Sequence, residues 1–489
     1  MVCFMILDPI VCRQAILARD ARFDGRFFTA VLTTGIYCRP VCPARPPKAE
    51  NCRYYPTAAG AQAAGFRPCL RCRPETAPGQ GAWRGVSNTV TRAVSLIDAG
   101  ALDEADVDAL AGRLGVGERH LRRLFLKHLG ASPISVAQTR RVLIAKQLIH
   151  ETELSMAEIA LAAGFGSVRR FNETMLALFG RPPTELRRAV GAGAQAGITL
   201  SLGYRPPYDW DALLAFLAAR AIPGVEEIAD GVYRRTIETG GVAGSLSVAH
   251  EPERNRIRAT IHFPRLSHLP RIIARVRLIF DLDADPEAIG AALSQDARLA
   301  PLVAARPGLR VPGAWDGFEL AVRAILGQQI TVGAATRLAG LIAEKWGAPY
   351  EGDGLTRLFP RPEALAGAVI GGMPRARASA IAKLAQAAGN DPAIFERAET
   401  LEASIARLCA LPGVGEWTAQ YIAMRALREP DAFPAADIGL MRAMDDGDGR
   451  PNPAALLSRS QAWRPWRAYA ALHLWTAPHN KETSRAIAA

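Results

Sequence analysis

The stretch TTGIYCRPVCPARPP, residues 33–47, contains Cys38 and Cys42 in surroundings rich in proline and arginine. A second pair, Cys69 and Cys72 in FRPCLRC, follows after 26 residues. Two close cysteine pairs separated by a longer loop are typical of ligands that converge on one tetrahedral zinc ion. The pattern therefore predicts a small zinc-bound domain that its metal helps to order. The alternative is two solvent-facing pairs with no metal.

The flanking residues resemble a known family. The segments FFTAVLTTGIYCRPVCPARPP and AAGFRPCLRCRPE are similar to the N-terminal domain of the Ada-type adaptive-response regulators. The resemblance implies a zinc-bound thiolate that removes a methyl group from a DNA phosphotriester. It implies Cys38 as the nucleophile, with Cys42, Cys69 and Cys72 as the other zinc ligands. A zinc-stabilised regulator without methyl transfer is the alternative.

The charge of such a site gives a route from damage to DNA binding. Zinc keeps a cysteine as a thiolate near neutral pH, and a thiolate is a soft nucleophile suited to a neutral methyl donor. Methylation of one thiolate removes one negative charge, so the repulsion between the site and DNA phosphates falls. The other cysteines, Cys3, Cys12, Cys52 and Cys409, are interpreted as ordinary small apolar residues.

Length and composition favour several folded domains. With 489 residues, 49% of them apolar, the chain is long enough for about three or four domains with buried cores. No run of about 18 apolar residues predicts a membrane span. The start, MVCFMILDPIVCRQ, lacks the basic region and the cleavage site of a signal peptide. We therefore expect a cytoplasmic protein, in which reduced thiols favour a metal over disulfides.

The positive charge is concentrated in the first part of the chain. Residues 1–190 carry 26 Lys and Arg against 16 Asp and Glu, a net charge of +10, out of +12 for the chain. Residues 191–489 carry 33 against 31. A basic N-terminal portion favours a polyanionic partner, most simply nucleic acid. The competing explanation is that the charge serves solubility alone.

Two stretches have the composition of linkers. RPETAPGQGAWRG, residues 73–85, is rich in Pro and Gly, and AVGAGAQAG, residues 189–197, is small and uncharged. Together with the patterns described below, they predict four domains, which comprise residues 1–80, 81–190, 198–287 and 288–489.

A loose internal repeat with a period of about 50 residues lies in the second of these domains. Each copy predicts a short apolar helix, a turn at Gly115 or Gly164, an Arg-rich helix, and then a Gly followed three residues later by a Pro. Between the copies, ISVAQTRRVLIAKQLIHET predicts one connecting helix.

The repeat resembles the AraC-type DNA-binding domain, which the Ada-type regulators share. The resemblance is carried by AGFGSVRRFNETMLALFGRPPTELRR, and it implies two helix-turn-helix units whose second helices enter the major groove. A plain helical bundle with solvated arginines is the alternative. The candidate DNA-contacting residues of the two second helices are Glu118, Arg119, Arg122 and Arg123, and Ser167, Val168, Arg169, Arg170 and Asn172.

Residues 231–263 alternate apolar and polar side chains, with turn signals at Gly240-Gly241 and EPERN. This period of two predicts an antiparallel sheet. Its apolar face carries Val242, Leu246, Val248, Ile257, Ala259, Ile261 and Phe263. From about residue 286 the apolar spacing is helical to the end of the chain, which predicts an all-α domain.

The stretch LCALPGVGEWTAQYIAMRAL, residues 408–427, places Gly413 and Gly415 in a tight turn between two helices. Such a turn exposes backbone N–H groups to which a DNA phosphate can bind. Leu-Pro-Gly-Val-Gly is the helix-hairpin-helix signature, which non-enzymatic DNA-binding proteins also use. The following segment AFPAADIGLMRAM predicts Asp437 at the start of a helix.

Three further segments make residues 198–489 resemble the 3-methyladenine DNA glycosylase II family: PPYDWDALLAFLAARAIPGVE, ARPGLRVPGAWDGFELAVRAILGQQIT and WRPWRAYAALHLW. The resemblance implies excision of alkylated purines, with Asp437 as the catalytic carboxylate. It implies a base pocket lined by Trp417, Tyr421 and Trp475, with Phe216 nearby.

Several alternatives stay open at these positions. Trp417 could pack in a core, and Asp437 could serve as a helix N-cap. Asp445, Asp446 and Asp448 are weaker candidates for the carboxylate. The best-known member of the family has Leu as the residue that wedges into the DNA gap, and Gln329 stands at that place here.

Three missing features refine the prediction. No Pro-Cys-His-Arg stretch occurs, so repair of guanine O6 is not expected. Trp417 stands where glycosylases with lyase activity carry a Schiff-base lysine, so we expect a monofunctional glycosylase. The four-cysteine iron–sulfur loop of some relatives is also missing from the C-terminal residues.

The sequence thus predicts a multidomain α+β protein with a small zinc-bound α/β domain, an all-α double helix-turn-helix domain, an antiparallel-sheet α+β domain and an all-α helix-hairpin-helix domain. We expect it to accept methyl groups from phosphotriesters, to regulate transcription, and to excise 3-methyladenine and 7-methylguanine. The expected cofactor is Zn²⁺, and the expected partners are promoter DNA, alkylated DNA and RNA polymerase. The alternative is a transcription regulator whose C-terminal region binds DNA without glycosylase activity.

Overall fold

The computed structural model describes residues 7–79, 88–187, 197–445 and 449–477. The described residues form two compact units. The first unit takes its residues from 1–206, 221–284 and 348–359, and the second from 207–220, 285–347 and 360–489. The division into four domains stays a prediction.

A four-stranded sheet with the order β3-β1-β2-β4 forms the fold of residues 7–79. Its elements are α1 (Pro9–Ala18), β1 (Phe28–Val31), β2 (Ile36–Cys38), β3 (Cys52–Tyr55), α2 (Ala58–Ala63) and β4 (Arg67–Pro68). Strands β2 and β4 pair in parallel. Because Cys38 ends β2 and Cys69 directly follows β4, this pairing brings one cysteine of each pair to the same edge. The expected small α/β domain is confirmed.

Seven helices follow in residues 88–187. They are α3 (Asn88–Asp98), α4 (Ala101–Glu104), α5 (Val107–Arg113), α6 (Glu118–Leu129), α7 (Pro133–Glu151), α8 (Met156–Ala162) and α9 (Val168–Phe179). Gly115 and Gly164 take φ values of 73° and 86°, which glycine adopts without strain, at the turns inside α5–α6 and α8–α9. These two helix pairs are the predicted helix-turn-helix units, and α7 is the predicted connecting helix.

A five-stranded antiparallel sheet with the order β5-β9-β8-β7-β6 also belongs to the first unit. Its strands are β5 (Ile198–Gly203), β6 (Glu226–Ala229), β7 (Val232–Thr239), β8 (Val242–Glu251) and β9 (Arg256–His262). Leu246 pairs with Ile261 and Val248 with Ala259, and all four side chains are buried. The antiparallel sheet and its apolar face are confirmed.

Two helices lie beside these strands in the sequence, α10 (Trp210–Ala218) and α11 (Leu269–Ile279). Helix α10, which carries Phe216, belongs to the second unit, although its sequence lies between two strands of the first. Sequence order alone gives no signal for this assignment.

The remaining elements are mostly helical. They are α12 (Pro286–Leu293), α13 (Ala300–Ala305), α14 (Gly317–Leu326), α15 (Val332–Trp346), β10 (Pro349–Gly352), β11 (Leu355–Arg357), α16 (Pro362–Ala366), α17 (Arg375–Asn390), α18 (Leu401–Cys409), α19 (Glu416–Arg425), α20 (Ile438–Ala443), α21 (Pro453–Ser460) and α22 (Arg467–Trp475).

The hairpin of β10 and β11 corrects the prediction that residues from 286 onward are entirely helical. Asp353 and Gly354 form its turn with φ values of 54° and 79°, and Asp-Gly is a strong signal for such a two-residue turn. The hairpin belongs to the first unit, where Thr236 Oγ1 donates to Arg357 O at 2.8 Å. The helical prediction overlooked this short turn signal.

The predicted linker at residues 73–85 is wrong in its first half. Residues Pro74–Thr76 form a 3₁₀ turn, and the Gly79 amide donates to Asp283 Oδ1 at 2.9 Å. Residues 80–85 lie outside the described part of the chain, as do residues 189–196 of the second predicted linker. The first segment is therefore ordered by polar contacts that its Pro- and Gly-rich composition does not reveal.

Two smaller expectations concern single cysteines and membranes. Cys12 and Cys52 are buried and Cys409 is exposed, whereas Cys3 lies outside the described residues. The interpretation of these cysteines as ordinary small apolar residues stays a prediction. Among the helices that the structure describes, none is both long and apolar enough to cross a bilayer.

Candidate metal centre and candidate active site

The Sγ atoms of Cys38, Cys42, Cys69 and Cys72 all lie within 4.8 Å of one another. A tetrahedral zinc ion with Zn–S distances of about 2.3 Å places its sulfurs about 3.8 Å apart, so the four thiols fit one zinc. Cys69 and Cys72 are buried, whereas Cys38 and Cys42 are half-buried. The four cysteines can therefore hold one zinc ion, and Cys38 and Cys42 are the two that solvent reaches.

Backbone hydrogen bonds fix these cysteines. The Cys69 amide donates to Tyr37 O at 3.0 Å. The amides of Arg39 and Arg71 donate to the sulfurs of Cys72 at 3.3 Å and Cys69 at 3.4 Å. Such N–H···S bonds orient metal-binding thiolates and stabilise their negative charge. The site is thus prepared by the strands and turns around it.

The four thiols titrate as one group. Hydrogen bonds from neighbouring cysteines lower the pKa of Cys42 to about 7 and lower the pKa of Cys69. The corresponding bonds raise the pKa of Cys38 and of Cys72. Because the sulfurs share protons, no single thiol ionises independently. A divalent metal that replaces these protons would favour the thiolate at all four positions.

The candidate DNA-contacting residues lie on the exposed faces of α6 and α9. Exposed side chains comprise Arg119, Arg122, Arg123, Val168, Arg169, Arg170 and Asn172, together with Ser167 at the start of α9. Within each helix one arginine pairs with a glutamate four residues away, Arg122 with Glu118 and Arg169 with Glu173. The two faces can bind phosphates or bases without rearrangement of the helical core.

The turn between α18 and α19 has the geometry that the helix-hairpin-helix signature predicts. Gly413 takes a φ of 81°, and a Cβ at this position would lie 2.4 Å from Ala380 Cβ. A larger residue therefore fits neither the backbone nor the packing. Gly415 is the N-cap of α19, so backbone N–H groups face outward at the helix start.

Gln329, the candidate wedge residue, is exposed and has a φ of 59°. The preceding Gln328, which the sequence analysis missed, donates from Nε2 to Gly413 O at 2.9 Å and to Thr418 Oγ1 at 3.1 Å. This amide joins the wedge turn to the hairpin turn. A lone Gln carries no sequence signal for such a bridging role.

Asp437 is held by two tryptophans. Trp417 Nε1 donates to Asp437 Oδ2 and Trp475 Nε1 donates to Oδ1, both at 2.9 Å. The same Oδ1 accepts the Leu440 amide at 3.0 Å, so Asp437 is also the N-cap of α20. The N-cap interpretation and the proposed catalytic role are therefore compatible. These three hydrogen bonds hold the carboxylate in one orientation.

The neighbouring residues explain why this carboxylate can adopt that position. A Cβ on Gly439 would lie 2.9 Å from Asp437 Oδ1 and 3.4 Å from Trp475 Cδ1, so glycine leaves space for the pair. Asp445, the next candidate carboxylate, is exposed, whereas Asp446 and Asp448 lie outside the described residues.

Aromatic rings surround Asp437. Trp417 and Tyr421 are stacked, with centroids 5.4 Å apart and planes 8° from parallel. The Arg425 guanidinium carbon lies 5.3 Å from the Tyr421 ring centre and 4.9 Å from that of Phe216. The structure thus brings together the four predicted pocket residues. Trp417, Tyr421 and Trp475 lie around Asp437, and Phe216 is connected to Tyr421 through Arg425. All four side chains are half-buried.

Two arginines that the sequence analysis missed shape the electrostatics of this pocket. Arg220 lies 3.7 Å from the Phe216 ring centre, and Arg425 Nη1 donates to Tyr421 Oη at 2.6 Å. Burial acts to raise the pKa of Tyr421, but the charges of Arg425 and Arg220 outweigh it and lower that pKa. The guanidinium of Arg425 therefore lies over Tyr421 and Phe216, and one face of Trp417 is covered by Tyr421.

Replacing Trp475 by Phe tests the indole N–H separately from the ring face. Phe retains an aromatic face but cannot donate to Asp437 Oδ1. We expect base excision to fall about 10- to 100-fold, since a hydrogen bond to a charged group contributes about 1.5–3 kcal/mol. The matched control is Trp463→Phe, because Trp463 Nε1 donates to Asp296 Oδ2 at 2.8 Å outside this pocket. Equal losses in both variants would contradict a specific role for Trp475.

Three family models match separate parts of the chain. The metal binding domain of Ada matches residues 11–75, a helix-turn-helix domain matches residues 110–189, and the AlkA N-terminal domain matches residues 199–316. The first match contains the four cysteines, and the second contains most of α5 to α9.

Individual relatives cover the chain more completely. The chain is 42% identical over 475 residues to a probable bifunctional transcriptional activator/DNA repair enzyme AlkA of Mycobacterium tuberculosis, with 95% of each chain covered. It is 35% identical to the DNA-3-methyladenine glycosylase 2 of Escherichia coli, over 56% of this chain and 96% of that protein. The solved 3-methyladenine DNA glycosylase of Archaeoglobus fulgidus shares the fold, with a TM-score of 0.51 and 23% identity over 56% of this chain and 96% of that one. With its Ada-type metal domain, its helix-turn-helix domain and its AlkA-type glycosylase part, the chain belongs to the family of bifunctional transcriptional activator/DNA repair enzymes.

Proposed function

We propose that Cys38 is a single-use acceptor for the methyl group of a DNA methylphosphotriester. Zinc, when bound by the four cysteines, keeps Cys38 as a thiolate at neutral pH. The Cys38 sulfur attacks the methyl carbon, the C–O bond breaks, and its electrons pass to the phosphate oxygen. The products are a thioether at Cys38 and an ordinary phosphodiester anion. Of the four cysteines only Cys38 and Cys42 are half-buried, and of these two the resemblance to the Ada-type domain implies Cys38.

We further propose that Asp437 drives excision of alkylated purines such as 3-methyladenine and 7-methylguanine. The target base must leave the duplex to reach the pocket, and Gln329 would fill the gap. The faces of Trp417 and Trp475 would attract the cationic base, at about 0.5–2 kcal/mol per contact. As the glycosidic bond breaks, the fixed carboxylate of Asp437 stabilises the positive sugar or orients the attacking water.

The observation that carries the glycosylase assignment is the carboxylate held by two indole N–H groups. A region that only binds DNA needs the hairpin turn but has no use for a fixed carboxylate facing aromatic rings. This geometry favours the enzyme over the alternative of a regulator with an inactive C-terminal region. Because Trp417 occupies the place of a Schiff-base lysine, we propose a glycosylase without lyase activity.

The regulatory part of the proposal rests on α6 and α9. Their exposed arginines would bind promoter DNA, and RNA polymerase would be the partner through which binding activates transcription. With these proposed partners, we propose a cytoplasmic location for the protein. The residues that contact DNA are proposed to be Arg119, Arg122, Arg123, Arg169, Arg170 and Asn172, with Gln329 and the backbone amides of Gly413 and Gly415 in the glycosylase part.

Incubation of the whole chain with methylated duplex DNA in the presence of borohydride tests the excision chemistry. We expect free 3-methyladenine and 7-methylguanine, an intact abasic strand and no covalent protein–DNA adduct. A trapped adduct would show a Schiff base and contradict the monofunctional assignment. Absence of base release by a zinc-loaded, DNA-binding chain would favour the regulator without glycosylase activity.

A further inference from the structure

The segment after the last cysteine of the cluster is tied back to the residue after Cys38. Arg39 Nη1 donates to Cys72 O at 3.1 Å and to Thr76 Oγ1 at 2.6 Å, and its guanidinium pairs with Asp24. The Arg39 amide also donates to Cys72 Sγ, so the residue that follows Cys38 contacts residues 72–76 through both its backbone and its side chain.

Three residues beyond Cys72, Glu75 forms a fully buried ion pair. Lys146 Nζ lies 2.5 Å from Glu75 Oε2, and the two side chains are 0% and 1% exposed. Burial acts to raise the pKa of Glu75, but His150, whose Nδ1 lies 3.7 Å from Glu75 Oε1, and the charges of Lys146 and Arg73 lower that pKa to about 2. Glu75 is therefore ionised whenever the protein is folded at neutral pH. Separating such a pair would leave two uncompensated buried charges, so its two partners move together.

Lys146 lies on α7, the helix that connects the two helix-turn-helix units. Helix α7 packs against α3, α6 and α8. A second pair, Arg73 with Glu151 at 2.5 Å, joins the same two segments one turn further along α7. Residues 73–75 are thus paired with the helix that packs directly against α6 and, through α8, supports α9.

The same end of α7 also holds the five-stranded sheet. Gln147 Nε2 donates to Ser201 O at 2.9 Å, and the Ser201 amide donates to Glu151 Oε2 at 3.0 Å. Buried Arg205 forms a further connection, since its guanidinium donates to Asp24 O and Gly79 O, which belong to the first described segment. Residues 7–79 are therefore joined by polar contacts both to helix α7 and to the five-stranded sheet.

We propose that the Glu75–Lys146 pair is a positioning contact that transmits the state of the four-cysteine cluster to α7 and so to both helix-turn-helix units. The proposal rests on the proposed methyl transfer to Cys38. Methylation removes one negative charge beside Arg39. The relative strengths of the interactions that the Arg39 guanidinium makes with Asp24, Cys72 and Thr76 then change. Residues 73–76 then reposition Lys146 and α7. The loss of charge at the metal centre would also act directly on the DNA phosphates. That direct effect does not require the Glu75–Lys146 contact.

Lys146→Met and Lys146→Arg test the contact in the whole chain. For each protein, the ratio of the dissociation constants for one fixed DNA duplex is measured before and after exposure to methylphosphotriester DNA, with zinc content and Cys38 methylation followed by mass spectrometry. In the wild type and in Lys146→Arg we expect methylation to tighten binding about 5- to 150-fold, the usual range for coupled sites. In Lys146→Met we expect methylation to tighten binding several-fold less than in the wild type, although zinc and methylation of Cys38 persist, because only the direct effect of the charge on the DNA phosphates remains.

A second variant guards against loss of folding. If Lys146→Met unfolds, Glu75→Gln/Lys146→Met removes both charges, leaves no unpaired ion between them, and takes its place in the comparison. A methylated variant that gains affinity as strongly as the wild type overturns the proposed contact. A folded wild type that takes no methyl group at Cys38 contradicts the proposed function instead, so the two failures are distinguishable.

Discussion

Asp437→Asn is expected to lower the release of alkylated purines by at least about a hundredfold, the size of loss seen when a preorganised group that stabilises transition-state charge is removed. Asn keeps the volume of the side chain but carries no charge toward the developing sugar cation. One of its two terminal groups is an NH₂, which cannot accept an indole N–H from Trp417 or Trp475. The loss should therefore appear in the chemical step rather than in DNA binding.

Single-turnover release of 3-methyladenine, beside DNA affinity measured in the same buffer, is the appropriate measurement. The matched control is Asp445→Asn, because Asp445 is acidic, exposed and nearby in sequence. We expect Asp445→Asn to retain wild-type release. Normal activity in Asp437→Asn, with a loss in Asp445→Asn, would move the catalytic role to Asp445.

Cys38→Ala is expected to abolish methyl transfer from phosphotriesters completely. The other three thiols remain in this variant, but the Cys38 sulfur is absent. The bond between that sulfur and the methyl carbon therefore cannot form. Peptide mass spectrometry after exposure to methylphosphotriester DNA measures the result. In the wild type we expect one methyl group on the peptide that contains Cys38.

The control for this variant is Cys409→Ala. Cys409 is exposed and lies outside the four-cysteine cluster, so its replacement should leave both zinc content and methyl transfer unchanged. Methyl transfer that persists in Cys38→Ala, on Cys42 for example, would show that the nucleophile is misassigned.

Features that depend on local spacing could be predicted from the sequence. The four cysteines converge as their spacing predicts, because short turns and one parallel strand pair fix their positions. Gly115 and Gly164 mark the two turns of the repeat, since a positive φ is required at both. Asp437 begins a helix as predicted, because its side chain accepts a backbone amide three residues later.

Features that depend on distant partners could not be predicted in this way. Arg425 lies over two aromatic rings only because α10 and α19 belong to the same compact unit. The ordering of residues 73–79 depends on Lys146 and Asp283, which are far away in sequence. The β10–β11 hairpin is different, because its Asp-Gly turn was visible in the sequence and was overlooked within a helical pattern.

The most direct test of the account measures both chemistries in one sample. Wild type, Cys38→Ala and Asp437→Asn are incubated with an excess of methylated duplex DNA, and the methyl groups per chain and the bases released per chain are counted. The wild type should stop at one methyl group per chain while base release continues over many turnovers. Cys38→Ala should lose only methyl acceptance, and Asp437→Asn should lose only base release. Loss of both activities in either variant, or base release that stops at one per chain, would contradict two independent sites in one protein.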